Sequence, residues 1–583
     1  MQSMTGFRLV ESFKAVAIPV LLIALSSSLS GCGGEGDSSS SNPPPAGSVT
    51  VSGKIEFERA GFKTVSNGGL NITAPTVQPA RQVVVEAIDP TTRARIGTAT
   101  STDTNGVYSL TIPANTNVLI SARAEMVKAD AAPTWDFKVR DNTASDALYV
   151  LDGAAFNSGT ANSTRNLRAL TGWNGTTYVD ADRHAAPFAI LDTVYQAKEI
   201  IRTAQPSTVF PALNLYWSTE NRASVASNCT TSGNIGTSFY TGEVPASDAD
   251  NCTPSVAMPA GIYVLGDYAN GNGDTDEFDQ HVIAHEFGHY IEDKFSRSDS
   301  IGGTHGATDE LDMRVAFGEG WGNAYSAMAL NDPAYRDSYQ GVATDGGFNL
   351  ESDPQQGGLE GWFSELSIGQ ILWDLFDPTD DGADHVSLGF APIYAVMTGG
   401  EKDTDALTSV FTFTDALRIA NPAQAAGIGA LLTGESIATT DAFGSGETNS
   451  GGSTTSLPIY QDITINDPPI IVCNSSLSQD RNKVGYRKLL RLNVPQPSAL
   501  TITAIGAVDP STPSVAASDP DIFVYKKGVV VQFSDTTTSA VGSSETISQK
   551  PFAAGLHIIE VYDYNLSGTN ATKHCMSVSV TGP

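Results

Sequence analysis

The segment His281-Val-Ile-Ala-His285-Glu286-Phe-Gly-His289-Tyr-Ile-Glu292 constrains this chain more than any other. On a helix, residues four apart sit one turn above each other, so His285 and His289 aim two imidazoles from one face at a common point. Glu286 lies about 100° round from His285, near enough to reach a water on an ion held there without binding the ion. Two neutral nitrogen ligands, an open position and a carboxylate able to take a proton are the parts of a hydrolytic zinc site. The flanking Val282, Ile283, Phe287, Gly288, Tyr290 and Ile291 are uncharged, which fits a helix buried on most sides. A buried helix with two satisfied core histidines would show the same spacing, so the zinc reading needs a third ligand. His281 continues the face one turn earlier, too far along the axis to share the ion, and is expected behind the ligands or toward solvent.

Two patterns supply third ligands. One needs Gly three residues after the second His and another His three further on; those positions hold Glu292 and Phe295. The other needs a Glu from a second helix, and Ala316-Phe-Gly-Glu319-Gly-Trp-Gly-Asn323-Ala-Tyr-Ser326 supplies it. Asp309, Glu310 and Asp312 are competing acids, yet only Glu319 opens an apolar helical run through Trp321, Ala324, Tyr325 and Met328. Here the chain resembles the gluzincin metallopeptidases, thermolysin-like and fungalysin-like, whose second helix carries the ligand Glu in a setting such as GEGW. The resemblance covers the two helices and the strand before them. It implies an α+β thermolysin-like core, zinc on His285, His289 and Glu319, and Glu286 as general base.

The sequence also departs from that pattern. Asn323 stands where those families place an Asp against the first histidine; its amide oxygen can still accept but adds no charge. The interval to Glu319 is long, with a polar loop over 296–309. A His or Tyr well downstream donates to the oxyanion in thermolysin-like enzymes; the later histidines are His305, His385, His557 and His574, of which His385 sits at about the right distance, Tyr325 and Tyr394 are alternatives, and none is singled out. A later apolar helix, Trp362 to Phe376, carries Gly369 and Trp373 as in fungalysin-like enzymes, but Leu366 replaces their His. Glu365 on that helix either approaches the cleft or sits at the edge of the core.

Gly261-Ile-Tyr-Val-Leu-Gly266 reads as a strand. In the resembling enzymes such a strand flanks the cleft, and an edge strand there pairs with extended substrate. The stretch after it, Asp267-Tyr-Ala-Asn-Gly-Asn-Gly-Asp274-Thr-Asp276-Glu-Phe-Asp279, offers oxygen ligands at alternate positions as calcium loops do. It lacks the EF-hand Glu at the twelfth position, so calcium and a plain solvated turn both fit.

At the N-terminus, Arg8 and Lys14 precede the apolar run Ala15 to Leu25, too short for a stable transmembrane anchor. Leu29-Ser-Gly-Cys32 looks like a bacterial lipobox, which implies a signal peptide over 1–31 and lipidation of Cys32. Gly, Ser and Pro then make a tether over 32–48. The expected location is the bacterial cell envelope, lipid-anchored at the outer membrane or cell surface, with membrane contact through the lipid only. Four further cysteines allow three pairings; proximity favours Cys229 with Cys252 and Cys473 with Cys575, which an exported compartment permits. With 64 acidic against 33 basic residues, net −31, binding to nucleic acid through charge is excluded.

The 583 residues imply several domains. Alternating β-formers over 49–130 suggest a β-sandwich resembling carboxypeptidase-regulatory modules. Mixed helix and strand over 131–459 form the expected metallopeptidase domain, ended by a linker read at 444–455. Strands at sandwich spacing over 460–583 resemble pre-peptidase C-terminal domains. The expected function is an exported zinc endopeptidase acting on proteins or peptides; the rival is a surface binding or adhesion lipoprotein that keeps the zinc site without turnover.

Overall fold

A computed structural model describes residues 47–224, 229–246, 252, 256–352, 359–378, 385–439, 441–452, 455–475, 480–507, 517–536, 540–566 and 573–583. The expected signal peptide, Cys32 and most of the tether lie outside them. Strands predominate over helices and fall into several sheets, with a β-sandwich at the C-terminal end.

The chain divides into two compact units. One comprises the described residues through Glu56, Pro79–Arg123 and Val150–Arg168. In it Ser48–Lys54 pairs antiparallel with Val107–Pro113, Val51 opposite Leu110. Buried Val49 and Val51 alternate with half-buried neighbours along the first strand, and buried Tyr108, Leu110 and Ile112 alternate with exposed ones along the second, the period-two signature of a sheet with one covered face. The turn before the second strand is closed by the Asp103 carboxylate, which accepts from the amides of Asn105 and Val107 at 2.8 Å. The expected boundary at residue 130 falls between Asn117–Lys128 and Trp135–Asp141, which are antiparallel partners through Glu125–Lys128.

The other unit comprises Phe57–Gln78, Ala124–Tyr149 and Ala169–Pro583. Its site-bearing elements are β1 (Trp135–Asp141), α1 (Ala185–Ala204), β2 (Leu213–Trp217), β3 (Phe239–Thr241), β4 (Gly261–Val264), α2 (Gln280–Phe295), α3 (Met313–Leu330), β5 (Ala334–Tyr339), β6 (Thr344–Asn349) and α4 (Glu365–Phe376). The sheet runs β3-β4-β2-β1, with β2 parallel to both β4 and β1. Every residue of β4 is buried, as expected of a parallel strand covered on both faces. Phe287 and Tyr290 on α2 meet Phe137 of β1 edge-on, with ring centroids at 5.9 and 6.3 Å, which seats the helix on the sheet.

At the end of the chain, a sheet of Tyr460–Ile463, Lys488–Val494, Gly555–Asp563, Pro520–Lys526 and Val529–Ser534 faces one of Ile470–Asn474, His574–Thr581, Ser498–Ala507 and Ser544–Phe552. Leu490, Leu492, Ile522, Val524, Ile559 and Val561 pack against Leu500, Ile502, Met576, Val578 and Val580 between them. This sandwich belongs to the same compact unit as α2 and α3. The stretch read as a linker is tied into that unit: Asn449 donates to the Glu360 and Ser436 carbonyls, and Trp362 donates to the Asn449 carbonyl.

Both expected disulfides are present, Cys229–Cys252 and Cys473–Cys575. They mark a chain that folds in an oxidising, exported setting. No helix among the described residues is long and apolar enough to cross a membrane.

Candidate metal centre

Helices α2 and α3 lie close enough for their side chains to converge because glycines remove the obstruction. A Cβ on Gly322 would meet the His285 ring at 2.7 Å, and one on Gly320 would meet Ile368 of α4 at 2.6 Å. Glycine in a helix costs about 1 kcal/mol relative to alanine, and here it allows an imidazole to lie flat against the next helix backbone. Trp321 locks the pair by donating its indole N–H to the Gly288 carbonyl at 2.9 Å.

The structure brings His285, His289 and Glu319 together. The two Nε2 atoms are 3.0 Å apart, and Oε2 of Glu319 lies 3.2 Å from His285 Nε2 and 3.3 Å from His289 Nε2. Zinc held tetrahedrally at about 2.0–2.2 Å from nitrogen and oxygen sets its ligand atoms about 3.3–3.5 Å apart. The triangle therefore has nearly the edge length that this ion imposes.

An outer contact fixes the tautomer of His285. Nδ1 of His285 is 3.0 Å from Oδ1 of Asn323, so it carries the proton and leaves the Nε2 lone pair facing inward. His289 has Glu292 beside its Nδ1 at 3.7 Å, a partner the sequence reading passed over although it sits at i+3 on the same helix. Glu292 is buried, and the His289 charge offsets its desolvation.

The charges balance within this group. Burial by itself would raise the Glu319 carboxyl, but His289, His305 and His285 outweigh it and hold the group well below the usual carboxylate range. Burial would lower His289; Glu319 and Glu292 reverse the sign and hold it well above the usual imidazole value. Protons and a divalent cation thus compete for the same atoms.

Glu286 lies next to the triangle, buried, with Oε2 accepting from the Tyr240 backbone N–H at 2.6 Å. Desolvation raises its pKa, opposed by the two histidines. The amide that orients it comes from β3, which ends the sheet. The expected edge strand, β4, is paired on both sides, by β2 and β3, and offers no free edge. Sequence inspection missed β3 because three residues in a Ser-, Thr- and Gly-rich stretch carry little strand signal.

His305 and Glu365 complete the group. Nε2 of His305 is 3.3 Å from Glu319 Oε2, and its Nδ1 is 2.8 Å from Glu365 Oε2. Both carboxylates raise His305 to about 9 against the opposing effect of burial. His305 sits in the loop after α2, where no periodicity announces a site residue. Tyr335 on β5 is a second neighbour, its ring centroid 6.2 Å from that of His285.

The earlier donor candidates are placed elsewhere. Tyr325 gives its hydroxyl to the Ala197 carbonyl of α1 at 2.6 Å, Tyr394 stacks on Phe390, and His385 is exposed. His281 is buried, with Nε2 3.0 Å from the Asp332 carbonyl, outside the ligand triangle.

A second group lies ahead of α2. One carboxylate oxygen each from Asp274, Asp276 and Asp337 lie within 4.8 Å of one another. Asp279, fully buried at the N-cap of α2, takes no capping bond; its Oδ2 accepts from the Ser338 amide and hydroxyl at 2.7 Å each. Oδ1 of all four aspartates is buried without a partner. Of the Asp267–Asp279 stretch, the structure selects Asp274, Asp276 and Asp279, and it adds Asp337 from β5.

No protein-family model matches this sequence, and no curated protein matches it. Among solved structures, the pre-peptidase C-terminal domain of a collagenase from Bacillus anthracis aligns over 21% of this chain and 93% of its own, at 10% identity and TM-score 0.14. CorA, a surface-associated copper-binding protein of Methylomicrobium album BG8, aligns over 21% and 98%, at 12% identity and 0.17. PliG, a periplasmic inhibitor of g-type lysozyme from Aeromonas hydrophila, aligns over 21% and 99%, at 12% identity and 0.13. At such TM-scores these likenesses carry no argument about the site.

Proposed function

We propose that the chain is an exported zinc endopeptidase of gluzincin type, with a thermolysin-like core around α2 and α3. The observation that carries this reading is the 3.0–3.3 Å triangle of His285, His289 and Glu319 with Glu286 beside it. Zinc, when bound, polarises a water and a substrate carbonyl. Glu286, aimed by the Tyr240 amide, accepts the water's proton and returns it to the leaving nitrogen. Asn323 holds the His285 imidazole in the ligating tautomer, and the Glu292 carboxylate lies on the outer side of His289. His305, oriented by Glu365, donates from Nε2 to the oxygen that gains charge.

Asp274, Asp276 and Asp337 suit calcium. A calcium ion sits about 2.3–2.6 Å from its oxygens, so ligands within 4.8 Å of each other can share it. The ion would tie the segment before α2 to β5.

Hydrolysis of an unstructured protein by the exported part is expected to stop with a chelator. It is expected to fall by about 10²–10⁴-fold in Glu286→Gln while zinc content stays unchanged. Turnover unaffected by that substitution rejects the mechanism. Stoichiometric zinc with no turnover favours the rival reading, a binding or adhesion lipoprotein, whose support is the uncharged Asn323. Attachment through lipidated Cys32 to the bacterial envelope is part of the proposal, and Cys32→Ala is expected to move the chain from the membrane to the soluble fraction.

A further inference from the structure

The loop that carries His305 is held by the C-terminal β-sandwich. Nδ2 of Asn482 donates to the Gly302 and Thr304 carbonyls at 3.0 and 2.9 Å, flanking His305 on its N-terminal side. Lys483 donates to the Thr304 carbonyl and reaches Asp309 at 3.1 Å, and the Thr304 hydroxyl donates to Asp480 at 2.7 Å. On the far side of His305, the Asp312 amide donates to the Asn482 carbonyl at 2.8 Å and the Val484 amide to the Glu310 carbonyl at 2.9 Å. A Cβ on Gly303 would meet Asn482 Nδ2 at 2.8 Å, so the loop backbone lies directly on that amide.

The first residues of the loop are tied elsewhere, Arg297 to the Lys402, Thr404 and Ala406 carbonyls and Asp299 to Thr408, so the bonds to Asn482 and Lys483 are what hold the backbone next to His305. Residues 297–310 form neither helix nor strand, so their placement depends on side-chain and backbone bonds to neighbouring segments. Yet His305 must keep Nε2 at Glu319 and Nδ1 at Glu365 together, and a displacement of about 1 Å is enough to lose a donor of this kind.

We infer that the C-terminal sandwich is part of the reacting centre, with Asn482 as the positioning residue that sets His305 through the Gly302–Thr304 backbone. This rests on the proposed peptidase reading for its catalytic share. The loop's dependence on Asn482 stands apart from that reading.

Two readouts separate them. In the whole exported chain, Asn482→Ala is expected to speed amide hydrogen exchange across 302–312 while α2 and α3 keep their protection and zinc stays bound. In the same protein, His305→Ala should lower kcat by about 10²-fold or more with little change in KM. Asn482→Ala should lower kcat in the same way, and the double variant should be no slower than His305→Ala alone. Thr304→Val, which removes only the bond to Asp480, gives the same pattern at smaller size should Asn482→Ala fold poorly. Exchange unchanged in the loop overturns the inference. So do kcat losses that multiply in the double variant, which would make the two residues independent. If the wild-type chain binds zinc without turnover, the peptidase reading falls, and exchange still decides the loop.

Discussion

Two clusters of acidic side chains flank α2, one along its length and one ahead of its first turn, and their charges behave in opposite ways. Around the ligand triangle, carboxylates alternate with imidazoles: Glu319 lies against His285, His289 and His305, and Glu365 lies against His305. Glu319 is correspondingly held low. Ahead of α2, the aspartates have serine donors, Ser238 on Asp276 and Ser338 on Asp279, but the charges around them are each other's. Burial raises Asp276 and Asp279 well above the usual range, and the charges of Asp337 and Asp274 raise them further. The nearby Arg183 is committed to Glu277 at 2.5 Å. A buried carboxylate settles only when a positive charge or a proton meets it. The first cluster carries its own positive charges, which zinc would replace in the proposed function. The second carries none, and in the same proposal a hard cation from solution would supply them.

The largest effects that test this contrast come from the ligand triangle. Glu319→Ala is expected to abolish stoichiometric zinc, measured by metal analysis after dialysis, because two imidazoles alone leave the ion without its charged ligand. Asn323→Ala should retain zinc but weaken it by about 10–100-fold, since the His285 ring loses the acceptor that fixes its tautomer. Asn323→Asp should tighten binding by restoring a charged acceptor. Equal zinc affinity in all three proteins would mean that the triangle is not the binding site.

How much of this was legible in the sequence follows from how far each contact reaches along the chain. His285, Glu286 and His289 are fixed by helix periodicity, and Glu319 and Asn323 by a second helix that packs on the first. The structure brings all five side chains into one neighbourhood. Gly322 could have been read as well, since a glycine one turn after Glu319 in a helix that pays for it in stability signals a close approach. His305 was not legible, because its position depends on Asn482, 177 residues later, and no local pattern encodes that. Asp337 is similar. It reaches Asp274 and Asp276 only because β5 returns beside α2 after α3, whereas the Asp and Gly residues before α2 advertised themselves as a loop. The apparent linker near 444–455 shows the limit of composition: small polar residues without apolar side chains can also be anchored through amides such as Asn449.

The smallest and most diagnostic effect is the pH dependence of stability without metal. Burial pushes Asp274 up to about 6 and Asp337 up to about 7, each with a further push from a neighbouring carboxylate. Groups whose folded pKa lies above the unfolded value favour the folded state while protonated, and that contribution is lost as pH rises through the folded value. Chelated protein should therefore lose thermal stability progressively between about pH 4, near the unfolded carboxylate value, and about pH 7. His289 adds to the same slope at higher pH, since its raised pKa also favours the folded state only while it is protonated. Calcium should flatten the acidic part of the slope, because a bound cation replaces the protons that Asp274, Asp276 and Asp337 would otherwise need. Asp276→Asn should flatten the same part without calcium and make added calcium less effective, while zinc binding at His285, His289 and Glu319 is unchanged. A chelated protein whose melting temperature is flat from pH 4 to 7 would show that the aspartates are not the uncompensated cluster the contrast requires.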